Sequence, residues 1–94
     1  MIHFIAHGKN DNVGVAVVDI EKGQQLTGWN METDETLAAS AVQPIPLGHK
    51  IALAAVGDGR QVIKYNVPIG NATQDIGVGE HVHTHCLKTA RWQV

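Results

Sequence analysis

Thr33-Asp34-Glu35-Thr36-Leu37-Ala38-Ala39-Ser40-Ala41-Val42 decides the fold class, because it is the stretch that reads two ways. Thr33, Asp34 and Glu35 ahead of Leu37, Ala38 and Ala39 have the make-up of a capped short helix. The same residues alternate well enough for a strand, and Pro44 and Pro46 stop either structure at once. Local propensity leans slightly to helix.

Working outward, Val13 to Ile20 is a β-branched run that predicts a strand buried on both faces. Glu21-Lys22-Gly23 turns it, and Gln24 to Trp29 is expected to return as its hairpin partner. Met1 to His7 alternates weakly and reads as a first strand, followed by the turn formers Gly8 to Asn12. Gln43 to Lys50 is a Pro-rich rigid loop, and Ile51 to Val56 is a short strand or a helical turn. Gln61 to Tyr65 is a strand that breaks sharply at Asn66. Val67 to Gly70 is extended, with Pro68 pointing to an edge. Ala72 to Ile76 is another short extended piece, and Gly77-Val78-Gly79 turns into the last strand. No internal repeat, low-complexity tract or linker is visible.

Composition bounds the rest. The 94 residues fit one domain, and ten glycines with four aromatic residues suit short strands around an aliphatic core. A net charge of −2 without a run of Lys or Arg argues against nucleic acid as a partner. There is no signal-peptide pattern and no long apolar run, so neither export nor a membrane span is expected. The lone Cys86 cannot form an internal disulfide, which makes a reducing cytoplasm the expected compartment.

The chemistry concentrates in Gly79-Glu80-His81-Val82-His83-Thr84-His85-Cys86, where three of six histidines sit at every second position. In an extended chain His81, His83 and His85 share one face. Such a row suits a metal ion, an anion or proton transfer. Neighbours two apart in a strand lie about 6.6–6.8 Å apart at Cα. Both can reach one metal through bonds of about 2.0–2.1 Å. The outer two are twice as far apart, so a pair with outside ligands is the realistic site. Glu80 starts on the opposite face. Gly48-His49-Lys50 reads as a solvated turn or as a cationic, proton-shuttling corner. Asp11-Asn12 reads as an Asx-type turn, and Tyr65 more as core than as catalyst. Cys86 and His85 point opposite ways in a strand, so a catalytic thiol is not expected. No nucleophile stands with a base and an orienting acid, so other parts of any reaction centre must come from elsewhere.

Several separated stretches resemble one family: Asp11-Asn12-Val13-Gly14-Val15, Ile45-Pro46-Leu47-Gly48-His49-Lys50-Ile51-Ala52-Leu53, Val62-Ile63-Lys64-Tyr65, Pro68-Ile69-Gly70-Asn71-Ala72 and Gly79 to His85. They are similar to the SAF-type small domain of the altronate dehydratase family, which includes sugar-acid dehydratases and a small, alpha-type subunit of a sulfolactate lyase. Leu26-Thr27-Gly28-Trp29 and Leu87 to Trp92 look more like the latter. The resemblance implies an all-β β-clip of short strands with little helix, so Glu35 to Val42 is expected as a strand. It implies a single domain over 1–94, acting as a separate small subunit beside a large catalytic lyase subunit. The implied reaction is elimination from a small hydroxy acid: sulfite from (2R)-sulfolactate, or water from altronate or another sugar acid. It implies a divalent metal, iron(II) in the dehydratase relatives, held mostly by the partner. Carried onto this chain, His81, His83 and His85 are expected as metal ligands and His83, His49 and Lys50 as catalytic groups. Asp11, Asn12, Lys64 and Tyr65 are expected to meet substrate. Cys86 stands where the family usually has Asn, and Asn66 where it often has Gly. Two rival classes stay open, a carbohydrate- or metal-binding module and a structural subunit, and a homo-oligomer is compatible with each.

Overall fold

The computed structural model describes residues 1–83 and the backbone of 87–89. Among these there is no helix. Nine short strands form two sheets: β1 Phe4–Ala6, β2 Val13–Ala16, β3 Gln25–Asn30, β4 Glu35–Ser40, β5 Lys50–Ala52, β6 Gln61–Lys64, β7 Val67–Ala72, β8 His81–Val82 and β9 Leu87–Thr89. Six lie in the order β4-β3-β1-β2-β5-β8, and three in the order β6-β7-β9. The sheet class expected from the resemblance is therefore the one observed. Glu35 to Ser40 is a strand despite its helical composition, because its whole length pairs antiparallel with β3. Tertiary pairing outweighs a weak local preference there.

Two sequence expectations are corrected. The run from Val13 ends as a strand at Ala16, leaving Val17 exposed. β3 does not form a hairpin with β2; it runs parallel to β1, which inserts between them. The central strand is thus the N-terminal one, and its Phe4 is fully buried. The Phe4 ring lies over Gly14 and Gly28, so close to Gly28 that a β-carbon there would overlap it.

The chain also repeats, contrary to the sequence reading. A buried Ala is followed at the fifth position by a buried Ile or Val, at the eighth by Gly, and at the eleventh by a buried aliphatic residue. The four copies begin at Ala16, Ala41, Ala52 and Ala72 and end at Leu26, Ile51, Val62 and Val82. Each Gly (Gly23, Gly48, Gly59, Gly79) has φ between 81° and 86° and closes a turn with an i to i+3 hydrogen bond. Positive φ at that place is the signature of a type II turn, which Gly adopts without a Cβ clash. The copies pair reciprocally. The Gly23 amide donates to Ala41 O (2.7 Å) and Gly48 to Ala16 O (2.8 Å), while Gly59 donates to Ala72 O and Gly79 to Ala52 O (2.8 Å each). Single bridges, Ile20 with Ile45 and Val56 with Ile76, tie the fifth positions of each pair.

Each pair of copies encloses one core. Copies one and two bury Ala16, Ile20, Leu26, Ala41, Ile45 and Ile51 around Phe4. Copies three and four bury Ala52, Val56, Val62, Ala72, Ile76 and Val82 around Val13. Ile51 and Ala52 are neighbours in β5 and feed different cores, which fastens one half to the other. Pro68, predicted at an edge, lies at the irregularity where β7 meets β6, outside the stretch of β7 that pairs with β9. Its missing N–H therefore removes no bond to β9.

Candidate functional site

The histidine site is built by two of the repeated turns. Gly48 ends the turn that releases His49 into β5, and Gly79 ends the turn that releases His81 into β8. β5 and β8 pair antiparallel, Lys50 opposite Val82 and Ile51 opposite His81. Continued one residue, that register sets His49 against His83. The rings confirm it: His49 and His83 stack with centroids 4.6 Å apart, and His81 and His83 lie 5.5 Å apart and 10° from parallel. His49 Nδ1 and His81 Nε2 are 2.8 Å apart, a hydrogen bond in which one imidazole donates and the other accepts. The His81 backbone amide donates to Gln43 Oε1 at 2.8 Å, which anchors the start of β8.

One nitrogen from each of His49, His81 and His83 lies within 4.8 Å of the others. Metal bonds of about 2.0–2.1 Å place two nitrogen ligands about 2.9–3.4 Å apart, from octahedral to tetrahedral angles. The 2.8 Å His49–His81 spacing is near that range, and His83, the exposed member, brings a nitrogen within 4.8 Å of both. Three neutral imidazoles suit a first-row divalent ion, iron(II) and zinc included. The donor set therefore fits the metal that the resemblance implies.

The remaining candidates are distributed as follows. The structure brings His81 and His83 together and adds His49 as the third member; His85 lies outside the described residues, as does Cys86. Lys50 is adjacent to His49 in extended backbone, so it leaves from the opposite side of the strand. Its ammonium is half-buried. That burial, and then the charge of Lys64, hold its pKa below the ordinary lysine value. Glu80 does not turn to the histidines, since its carboxylate accepts from the Gly77 amide.

Asp11 and Asn12 brace the β6–β7 hairpin. Asp11 accepts from the amides of His7 (3.1 Å), Gly8 (3.0 Å) and Asn66 (2.8 Å). Burial alone would raise the Asp11 pKa, but these amides, Asn66 foremost, outweigh it and hold the carboxyl below the ordinary value. Asn12 accepts from Ile63 N at 2.7 Å and donates to Gln61 O at 3.0 Å. Both side chains are thus engaged with backbone. Lys64 and Tyr65 sit on the hairpin they support. Sequence reasoning passed over His7, whose ring stacks on Tyr65 at 4.0 Å and whose Nδ1 is buried without a hydrogen bond. Its signal was only a place in a weakly alternating strand.

Fold and cluster together define a small all-β clip that offers imidazoles at its rim without an enclosed cavity among the described residues. The chain belongs to the family of altronate/galactarate dehydratase SAF domains, whose model matches residues 2–90. It is 49% identical over 92 residues to subunit alpha of (2R)-sulfolactate sulfo-lyase from Chromohalobacter salexigens, covering 97% of this chain and 98% of that protein. It is 52% identical over 60 residues to the like-named subunit from Paracoccus pantotrophus, covering 64% of this chain and 87% of that one. It is 40% identical over 89 residues to altronate dehydratase from Bacillus subtilis, covering 95% of this chain but only 17% of that protein.

Proposed function

We propose that this chain is the small, alpha-type subunit of a two-component lyase in the cytoplasm that eliminates sulfite from (2R)-sulfolactate to give pyruvate. The observation that carries the reading is the 49% identity to a sulfo-lyase alpha subunit over 98% of that protein's length. Acting as one domain over 1–94, the chain supplies a histidine rim, and a large subunit supplies the substrate pocket.

The reaction takes the proton from the carbon bearing hydroxyl and carboxylate. The electrons of that C–H bond form a double bond to the next carbon, and sulfite leaves with the C–S pair. The resulting enol takes up a proton on carbon and becomes pyruvate. His49, His81 and His83, together with groups of the large subunit, would hold a divalent ion, iron(II) by the family resemblance, and such an ion would supply positive charge beside the developing enolate. His83, the exposed member, is placed to carry a proton between substrate and solvent. The His49–His81 hydrogen bond holds the two rings in place, and metal uptake would release the proton that they share. Lys50, on the far side of β5, contributes its charge from behind and does not touch substrate.

A second reading, elimination of water from a sugar acid such as altronate, is favoured by the 40% identity to altronate dehydratase. Assay of the assembled enzyme on both acids separates the two. In either case His83→Ala abolishes turnover while the thermal unfolding of the small chain is unchanged, and His49→Ala or His81→Ala removes one-to-one Co(II) uptake by the isolated chain. Full turnover with His83→Ala removes the mechanism.

A further inference from the structure

The Lys64–Val67 hairpin breaks a local rule. Its two-residue loop needs positive φ at both central positions, which Asn and Gly supply most readily. Here they are Tyr65 (φ 56°) and Asn66 (φ 60°). Asn66 suits the place: it accepts from the Asn10 amide and donates to Glu32. Tyr65 does not, because an aromatic residue is disfavoured in the left-handed region. Its ring stacks on His7 yet stays 57% exposed. Strain kept at an exposed position points to function more than to folding.

The surroundings say what kind of function. Val67, beside the turn, and Met31, beside Glu32, are 55% and 51% exposed. Lys64 Nζ lies 5.1 Å from the centroid of the Tyr65 ring, and its charge reaches Lys50. Neither lysine is paired with a carboxylate among the described residues. The nearby acids are engaged: Asp11 accepts from three loop amides, and Glu32 from the Lys9 amide and Asn66. A rigid aromatic anchor, apolar neighbours and cations lacking counterions match the centre of a protein interface.

We propose that Tyr65, Lys64 and Lys50 form a docking surface for the large lyase subunit, whose facing segment carries carboxylates around an apolar recess for the Tyr65 ring. This rests on the lyase-subunit reading above. Lys50 directly follows His49 and leaves β5 from the side away from the imidazoles, so the docking surface lies behind the histidine rim.

The test is the dissociation constant of the wild-type chain and its variants with the large subunit, at low and high salt. Tyr65→Asn, which suits the turn, keeps or raises the thermal midpoint of the small chain yet weakens assembly at least tenfold. Lys64→Glu weakens it similarly and removes or reverses the salt dependence of binding. If Tyr65→Asn binds as tightly as wild type, the docking surface is overturned and the lyase reading stands. If the wild-type chain does not bind the large subunit at all, both are overturned.

Discussion

Gly28 and Asp11 each hold a position that no other residue type fills as well. The Phe4 ring sits over Gly28, and an added β-carbon would fall inside that ring's contact distance. Gly28→Ala therefore forces the only Phe off its place in the central strand, and overpacking of this kind costs about 1–3 kcal/mol. Urea unfolding should show a lowered midpoint with an unchanged slope. Asp11 stabilises through its ionised form, because its carboxylate collects amides from the Gly8 loop and from the hairpin turn. Its folded pKa lies below the unfolded value of 3.8. The stabilisation is then fully present above that unfolded value and is lost as pH falls through the lower folded one. Wild type should lose stability on acidification below about pH 4, and Asp11→Asn should be weaker at neutral pH with a flatter profile there.

At the scale of elements, the four repeated turns do one job in different surroundings. A β-carbon added at Gly23 would meet nothing within 4 Å, whereas one added at Gly79 would overlap the Ser40 carbonyl oxygen. Gly23→Ala should cost only the left-handed strain of a non-glycine residue, about 1–2 kcal/mol. Gly79→Ala should cost clearly more and should disturb the β8 start that carries His81. Unfolding free energies of the two variants measure the difference, and equal losses would show that the Ser40 contact does not constrain the turn. Strand β4 teaches the opposite lesson. Its residues tolerate a helix, and only the paired length of β3 makes them a strand.

At the scale of the whole molecule, two cores are joined through two short strands, β5 and β2, the latter giving Ala16 to the first core and Val13 to the second. Ile45 belongs to the first and Ile76 to the second, and β5 contributes Ile51 to one and Ala52 to the other. The halves should therefore unfold together. Ile45→Val and Ile76→Val should each lower the same single transition by about 0.5–1.5 kcal/mol, seen alike by circular dichroism and by Trp29 fluorescence. Two separated transitions would show instead that the halves are independent. The same joint sets the histidine site, because β5 comes from the second copy of the repeat and β8 from the fourth.

Much of this was legible in the chain. Turn formers, β-branched runs and the alternating histidines mark most strand positions, since those signals are local and the backbone period of two acts on neighbours. His81 and His83 share a side for that reason alone. The repeat was missed because its four fixed places hold common residues, Ala, an aliphatic, Gly and another aliphatic, which stand out only once their hydrogen bonds are seen to reciprocate. His49 lies 32 residues from His81, and no local pattern announces that distance. Its place beside His81 follows from the β5–β8 register, just as the position of β1 between β2 and β3 follows from where Phe4 can be buried. Alternation and turn chemistry are properties of adjacent residues and so belong to the sequence; which strands meet is decided by burying two cores at once, and that exists only in the folded molecule.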